Sequence, residues 1–437
     1  MSKIKLPFIC FLQNILKSFG MAFVFCLPIL LGAFLLSHQC EKIYIFLNSF
    51  FVIFSALVFL KAPKKGRFVF GFFIGLLLFY WIGLSFRFSA FPLLGFVVVI
   101  LIAVIYGSIF ALLLWSENVY FRALMFLFLG FIHPFYFDWL EPRAFFAYSI
   151  FGVDVISCLC FVLSVACFCD FFKNSKILQF FRLKTFNQKI FGLLFGLLLM
   201  FSPTLQTDFR GLYVPNLKID LAQTRVPQDL RWNEENFHLI KEQNFNLIKQ
   251  AINENKEMII LPETAFPIAL NRATLILKDL ADLSQKIVIV VGGLRIDERG
   301  KIFNSSYLFE KGQIKIIDKV ILAPFGEKIP LPDFIARRLQ KIFFGTEDEM
   351  QSAKNVQNFQ IFHLDFRNAI CYEGTSSLLY KDNPKYVIMI SNNAWFYPSI
   401  EPFFQQILLK YYARISKAVI FHSANFSNSM LIVPNLF

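Results

Sequence analysis

The sequence has 437 residues, is 57% hydrophobic, contains 59 Phe and carries a formal net charge of +13. This composition is too apolar for a water-soluble protein of that length. A net charge of +10 belongs to residues 1–202, the apolar half, which argues against nucleic-acid binding because that function requires a basic face on a soluble domain.

The apolar half contains seven windows with the length and composition of a membrane-spanning helix, about 20 mainly apolar residues. The windows are 18–37, 43–61, 68–86, 91–115, 119–137, 144–170 and 189–205. Inside a bilayer the backbone must satisfy its own hydrogen bonds, so each window is predicted to be helical. We therefore predict a transmembrane domain of about seven helices at 1–205 and a second domain at 206–437.

Basic residues predict the orientation of these helices. With a cytoplasmic N-terminus, 13 Lys and Arg residues fall in cytoplasmic loops and three, Lys42, Arg87 and Arg143, fall on the other side. The positive-inside rule favours this arrangement. Seven crossings then place 206–437 outside, which predicts a multi-pass protein of a bacterial inner membrane with a periplasmic domain.

Polar residues in and between the last windows have different expected roles. Those that connect the fifth and sixth windows, including Asp138 and Glu141, are expected to be solvated. Asp154 lies inside the sixth window, where a charge is costly, and is therefore a functional candidate.

Of the eight cysteines only Cys371 lies in the polar half, where it is either a reactive thiol or a buried core residue.

The polar half alternates short apolar runs with polar, helix-like stretches. The segment 234–253 has the pattern of an amphipathic helix, and 305–322 that of a hairpin with its turn at Lys311 and Gly312. Further strands are predicted at 217–223, 258–263, 286–294, 361–373, 386–392 and 417–425. This pattern favours an α/β fold or a layered α-β-β-α sandwich.

Three polar residues lie where predicted strands end: Glu263, Lys319 and Cys371. Strand ends bring side chains from distant parts of the sequence to one edge of a sheet, where α/β sites usually form. Taken alone, each of these residue types more often has an ordinary role, as a helix cap, a solvent-facing cation or a buried thiol. Their spacing does not decide between these possibilities.

The surrounding sequence resembles the nitrilase (carbon-nitrogen hydrolase) superfamily. The matching segments, in order, are QTRVPQDLRW, LPETAFP, DKVILAPFGEKIPLPDF, ICYEG and SNNAWF. With the membrane half before them, they resemble the membrane-bound branch of that superfamily, the apolipoprotein N-acyltransferases. The resemblance implies a multi-span helical membrane domain followed by a nitrilase-like α-β-β-α sandwich.

By that resemblance, Glu263, Lys319 and Cys371 form a Glu-Lys-Cys triad. Cys371 is then the nucleophile, Glu263 the group that takes and returns its proton, and Lys319 the cation that stabilises the thiolate and the oxyanion. No metal or cofactor is implied.

Four further residues match positions of the family pattern. The resemblance implies that Glu327 and Glu373 orient Lys319 and the attacking amine. Tyr372 matches the aromatic neighbour of the nucleophile, and Trp232 matches the tryptophan that follows the first strand.

The implied reaction transfers an acyl chain from a membrane phospholipid to the α-amino group of the lipid-modified N-terminal cysteine of an apolipoprotein, through a Cys371 thioester. The implied partners are the phospholipid, the diacylglyceryl-modified apolipoprotein and the membrane, with no nucleic acid and with the enzyme as a monomer. Two alternatives remain open: a membrane-tethered amidase or nitrilase that hydrolyses a small amide, and a non-enzymatic membrane binding protein.

Two segments of the polar half combine aromatic with basic residues, 332–345 and 395–412. Each is expected either to lie at a bilayer surface or to pack on the domain as an ordinary amphipathic helix. Family members continue into further strands and a final spanning helix, so a chain that ends at Phe437 is expected to have a shortened C-terminus.

Overall fold

The computed structural model describes residues 5–172, 214–344 and 350–436, together with four helical positions between 194 and 200. Its N-terminal part, here called the helical domain (residues 5–172), contains six α-helices. They are α1 (Lys5–Ser37), α2 (Glu41–Leu60), α3 (Arg67–Phe79), α4 (Leu94–Leu113), α5 (Val119–Phe128) and α6 (Val155–Phe172).

Four segments among the described residues are long and apolar enough to cross a membrane: Phe11–Ser37, Glu41–Leu60, Lys64–Phe88 and Leu94–Leu113. They correspond to the first four predicted windows. The window 189–205 lies almost entirely outside the described residues, so the total of about seven helices stays a prediction.

The fifth and sixth windows differ from prediction. In the fifth, α5 ends at Phe128 and two short 3-10 turns follow, Leu129–Phe131 and Pro134–Tyr136. The proline at 134 explains this, because it lacks an N–H and restricts the residue before it to extended conformations. In the sixth, the helix begins only at Val155, and Asp154 accepts a hydrogen bond from the backbone N–H of Ser157 at 2.9 Å. Asp154 therefore caps α6 and is not a charge within a helix.

The connection between α5 and α6 is packed, contrary to the expectation that its polar residues are solvated. Glu141 and Arg143 form an ion pair of 2.6 Å, and their side chains are only 6% and 13% exposed. A carboxylate this deeply buried requires such a partner. Residues 139–149 of the connection are therefore largely buried, and they pack against the sandwich domain.

The remaining described residues, 214–436, form a second unit, here called the sandwich domain. It holds 12 strands: β1 (Ile219–Leu221), β2 (Gln223–Thr224), β3 (Met258–Ile260), β4 (Phe266–Ala269), β5 (Val288–Ile296), β6 (Ile302–Glu310), β7 (Gln313–Asp318), β8 (Asn358–Ile361), β9 (Leu364–Ile370), β10 (Tyr386–Asn392), β11 (Val419–Asn425) and β12 (Met430–Ile432). Its helices are α7 (Gln228–Arg231), α8 (Glu234–Asn253), α9 (Thr274–Leu283), α10 (Asp333–Phe344) and α11 (Glu401–Ser416).

The strands form two six-stranded sheets. The first has the order β1-β3-β5-β6-β7, with β4 also paired to β5. The second has the order β12-β11-β10-β9-β8, with β2 also paired to β11. In the second sheet β9, β10 and β11 run parallel, so their carboxyl ends share one edge.

Alternation of side chains along the strands builds the layers. In β3, Met258 and Ile260 face the second sheet and pack with Ile388 and Ile390 of β10, while Ile259 faces the opposite way. Successive strand residues point to opposite faces, so apolar runs such as these are buried on both sides. Helices α8 and α9 cover the outer face of the first sheet and α11 covers the second, which confirms the predicted α-β-β-α sandwich.

Helix α11 belongs to the hydrophobic core of both domains. Phe404 stacks on Phe79 of α3 with ring centroids 6.1 Å apart, and it meets Trp139 at 5.3 Å. At the other end of the helix, Arg414 donates hydrogen bonds to carbonyls in the connection before α6, including those of Phe146 and Phe151. Segment 395–412 is therefore packed between the domains, and of its two predicted roles the packed helix is the one observed.

Candidate active site

The three residues predicted at strand ends lie at the same edge of the sandwich. Lys319 follows β7 directly, Cys371 follows β9 directly, and Glu263 lies three residues beyond the end of β3. Glu263 is 7% exposed and Lys319 is 1% exposed, while Cys371 is partly buried. The sandwich therefore brings together a carboxylate, a cation and a thiol from strands of both sheets.

Cys371 occupies a strained backbone position. Its φ is +53°, in the left-handed region that residues with a side chain seldom adopt, and it begins the 3-10 turn Cys371–Thr375. The turn lies tightly against β10, since a Cβ atom at Gly374 would come within 2.0 Å of the sulfur of Met389. The close packing of this turn holds the thiol at the sheet edge.

Lys319 and Glu263 are connected by a hydrogen-bonded network. The Lys319 ammonium contacts Glu327 Oε2 at 2.7 Å. The side-chain amide of Asn304 donates to Glu263 Oε1 at 2.8 Å and to Glu327 Oε1 at 3.0 Å. Glu327 therefore holds the Lys319 ammonium, and Asn304 links both carboxylates.

Burial and charge shift the pKa values of this network. Burial raises the pKa of Glu263, although Lys319 opposes the shift. Burial alone would lower the pKa of Lys319, but the carboxylates of Glu327 and Glu263 outweigh it, so the pKa is raised and the ammonium stays charged. The charged Lys319 ammonium and the carboxylate of Glu263 can therefore both influence the thiol of Cys371.

The thiol of Cys371 is not a preformed thiolate. Burial raises its pKa well above the usual range, the charge of Glu263 raises it further, and Lys319 lowers it only in part. The thiol therefore needs a base at the moment of attack. Glu263, with its raised pKa, is a stronger base than an ordinary carboxylate.

Glu373 holds two backbone segments together at the site. Its Oε1 accepts hydrogen bonds from the backbone N–H groups of Val320 and Ile321 at 2.9 and 3.2 Å, and its Oε2 accepts from that of Ile370 at 3.0 Å. Burial raises its pKa to about 7 despite these bonds. Glu373 thus ties the segment after Lys319 to the end of β9, and its oxygens are directed at backbone N–H groups.

Tyr372, the neighbour of Cys371, connects this site to the helical domain. Its hydroxyl donates to Asp138 Oδ1 at 2.7 Å, and its ring stacks on Phe137 with a centroid distance of 6.0 Å. One turn further on, Thr375 accepts a hydrogen bond from the indole of Trp139 at 2.8 Å. The connection between α5 and α6 therefore forms one wall of the site.

Trp232, which the resemblance matched to the family pattern, is half exposed, whereas its neighbour Arg231 is buried beside the Glu263 segment. Trp232 is 50% exposed and follows α7, while the neighbouring Arg231 is 3% exposed and donates to the backbone carbonyls of Glu263 and Thr264. Sequence reasoning missed Arg231, although it stands in the same QDLRW segment. It also missed Asn304 and Asp138, which no sequence motif marks.

Among the residues that the structure describes, no group of three or more His, Cys, Asp or Glu side chains is arranged to hold a metal ion. The chemistry that this arrangement can perform is attack by a thiol on a carbonyl carbon, with Glu263 as proton acceptor and Lys319 as the stabilising cation.

Comparison with known proteins identifies the family. Residues 12–189 match the model of the apolipoprotein N-acyltransferase integral membrane domain. The chain is 43% identical to the apolipoprotein N-acyltransferase of Helicobacter pylori and 38% identical to that of Wolinella succinogenes, and in each case 96% of both chains is covered. A Nesterenkonia amidase from the nitrilase superfamily covers 52% of this chain and 87% of its own, with 12% identity and a TM-score of 0.37. The chain therefore belongs to the apolipoprotein N-acyltransferase family.

Proposed function

We propose that this protein transfers an acyl chain from a membrane phospholipid to the α-amino group of the diacylglyceryl-modified N-terminal cysteine of an apolipoprotein. The transfer takes place in two steps. Cys371 first attacks the phospholipid ester, which releases a lysophospholipid and leaves the acyl chain on sulfur as a thioester. The acceptor amine then attacks the thioester and regenerates the thiol.

One observation carries this proposal: Glu263, Lys319 and Cys371 lie together at a sheet edge that packs on the helical domain. In the first step Glu263 accepts the thiol proton and returns it to the departing lysophospholipid oxygen. Lys319, held by Glu327 at 2.7 Å, stabilises the negative charge that develops on the carbonyl oxygen. A thioester suits the second step because it reacts readily with amines yet persists where water is scarce.

Packed aromatic rings connect the third segment able to cross a membrane to Tyr372, the neighbour of Cys371. Trp81, in the third segment able to cross a membrane, lies 4.9 Å from Trp139 and 4.8 Å from Phe396 between ring centroids. Phe137 continues this contact to Tyr372, the neighbour of Cys371. We further propose that the protein acts as a monomer in a bacterial inner membrane, with the sandwich domain in the periplasm.

Product analysis tests this function. The purified full chain is incubated with phospholipid vesicles and a synthetic lipopeptide whose N-terminal cysteine carries a diacylglyceryl group and a free amine. We expect N-acylated lipopeptide and lysophospholipid in equal amounts, and neither product with Cys371→Ala. Release of free acid from a water-soluble amide, without lipopeptide acylation, would support the amidase alternative. Unchanged acylation by the Ala variant would rule out the thioester.

Helix α10 is a candidate contact with the bilayer surface. Phe334 is 71% exposed, and Arg337 and Arg338 on the same helix are also exposed. An exposed apolar residue beside cations suits a helix that lies among lipid headgroups.

Charge reversal tests this contact. We expect Arg337→Glu with Arg338→Glu to weaken binding to anionic vesicles and to slow turnover of vesicle phospholipid, while turnover of detergent-dispersed phospholipid is retained. The matched control is reversal of Lys249 and Lys278, two exposed cations on α8 and α9. Equal vesicle binding by the two double variants would refute a specific role for α10.

A further inference from the structure

Four carboxyl groups, three buried and one partly buried, lie at the edge that holds Cys371. Three of the four have partners that account for their burial. Glu327 pairs with Lys319, and Glu263 shares Asn304 with Glu327. Glu373 accepts hydrogen bonds from three backbone N–H groups. The fourth, Glu401, has no role in the two steps described above.

Glu401 is the first residue of α11 and is 1% exposed. Its oxygens accept hydrogen bonds only from the side-chain amide of Asn393, at 3.1 and 2.9 Å. Among the described residues, no Lys, Arg or His forms an ion pair with it. One turn along α11, the amide nitrogen of Gln405 is buried and lacks a hydrogen-bond partner. The side chains around Glu401 therefore have unused hydrogen-bonding capacity, which is unusual for buried polar groups.

The fold places Glu401 beside the nucleophile. Strands β9 and β10 run parallel with Ile370 opposite Ile390, so Cys371 and Asn393 both follow the same sheet edge. Asn393 then holds Glu401 at that edge through its side-chain amide.

Charge interactions agree with this placement. Burial raises the pKa of Glu401 to about 8, the Asn393 hydrogen bond opposes the shift, and the charge of Glu263 adds to it. Glu401 in turn contributes to the raised pKa of the Cys371 thiol. Without a cation, burying an ionised carboxylate here is costly, so the neutral form of Glu401 is favoured. An ammonium group is the partner that would favour the charged form.

We propose that Glu401 binds the primary amine of the acceptor and removes a proton from it before it attacks the thioester. This inference rests on the proposed function, because it assigns a residue to the second of its two steps. It also replaces the expectation that Glu373 orients the amine, since the oxygens of Glu373 are occupied by backbone N–H groups.

The second step begins when the acceptor binds beside Glu401. When the acceptor ammonium binds, Glu401 gives up its proton to solvent and forms an ion pair with the ammonium. One proton then moves from nitrogen to Glu401, which frees the nitrogen lone pair. The C–N bond forms, the C–S bond breaks, and a second proton passes from nitrogen through Glu263 to the Cys371 sulfur. The products are an amide and a free thiol.

Separate measurement of the two half-reactions tests the proposal. The full-length Glu401→Gln variant is first acylated with phospholipid, and thioester formation is followed by intact mass. The acyl-enzyme is then mixed with the diacylglyceryl lipopeptide, and its decay is followed. We expect acylation within about 2-fold of wild type and transfer slowed by roughly 100-fold, the scale of a lost proton-transfer group. Glu401→Asp should recover part of the transfer rate.

Two controls separate a role in amine activation from a structural one. Hydroxylamine is a neutral nucleophile at mildly alkaline pH, so it should cleave the acyl-enzymes of wild type and Glu401→Gln at the same rate. Glu373→Gln, an equivalent change at a buried carboxyl with backbone partners, should slow both half-reactions.

Three results would overturn the inference. They are lipopeptide transfer by Glu401→Gln at the wild-type rate, equal slowing of both half-reactions, and slowed cleavage by hydroxylamine. A wild-type protein that forms no thioester would overturn the proposed function itself, and this outcome is visible before any lipopeptide is added.

Discussion

Glu263 can accept the proton of Cys371 only when it is ionised, so its pKa determines the pH range in which the first step proceeds. Burial raises that pKa above the usual value of a glutamate, about 4.3. Ionisation is lost as the pH falls through the raised pKa, and the rate of thioester formation should fall with it. The thiol of Cys371 has a raised pKa as well, so it stays protonated throughout this pH range. The decline of the rate at acid pH therefore follows the protonation of Glu263.

We therefore predict that thioester formation declines on the acid side at a pH clearly above that of an ordinary glutamate. The measurement is the rate of appearance of the acylated mass against pH, with phospholipid in excess. Glu263→Gln provides the control, since its residual rate should lack this limb. A wild-type rate that stays constant down to about pH 4.3 would contradict the assignment of Glu263 as the base.

Residues with a local signal were predictable from sequence, and those that depend on distant partners were not. Glu263, Lys319 and Cys371 stand in segments that resemble a known family. Asn304 lies in the middle of β6, and only the fold shows that it contacts Glu263, which is 41 positions away in the chain. Glu401 was also missed, because a glutamate at the start of a helix is common and its burial depends on the whole sandwich.

At the scale of elements, strong periodicity gave accurate predictions. Helix α8 occupies the predicted segment 234–253, β10 occupies 386–392, and the hairpin of β6 and β7 turns at the predicted residues.

The predicted strand 361–373 is wrong at its start, where β8 ends at Ile361 and a tight turn leads into β9. Both turn residues, Phe362 and His363, have positive φ, and neither is a glycine or asparagine that would have indicated the turn.

The position of the Glu263 segment depends on a glycine in the neighbouring strand. A Cβ atom at Gly292 of β5 would lie 2.4 Å from the backbone nitrogen of Thr264 and 2.7 Å from the Cα of Glu263. Gly292→Ala must therefore displace the segment that carries the base. We expect a loss of stability of about 1–3 kcal/mol and a larger loss in the rate of thioester formation.

Thermal unfolding and the acylation rate of the same preparation measure both effects of Gly292→Ala. Gly20→Ala in α1 is the matched control, because no atom lies within 4 Å of the added Cβ there. Wild-type acylation by Gly292→Ala would show that the close approach of β5 does not position Glu263.

At the scale of the whole molecule, the helical and sandwich domains share a hydrophobic core and polar contacts beside Cys371. One of these contacts is the 2.7 Å hydrogen bond between Tyr372 and Asp138. Composition predicted the two domains, and the resemblance predicted their order. Their packing was not predictable, because the connection between α5 and α6 was expected to be solvated and instead lies against the catalytic turn.

A double-mutant cycle tests whether this contact positions Cys371. Tyr372→Phe and Asp138→Asn should each slow thioester formation, since each releases the turn that begins at Cys371. The double variant should be no slower than the slower single variant, which corresponds to a coupling free energy of about 1 kcal/mol or more. Strictly additive effects on the acylation rate would mean that the two residues act independently.

The thioester on Cys371 is the central claim of this account, and intact mass spectrometry tests it most directly. Full-length protein is incubated with a phospholipid of defined acyl chain, without acceptor, and weighed. We predict an added mass equal to one acyl group, located on the peptide that contains Cys371, removed by hydroxylamine and absent in Cys371→Ala. A wild-type protein that keeps its unmodified mass while it acylates the lipopeptide would contradict the account.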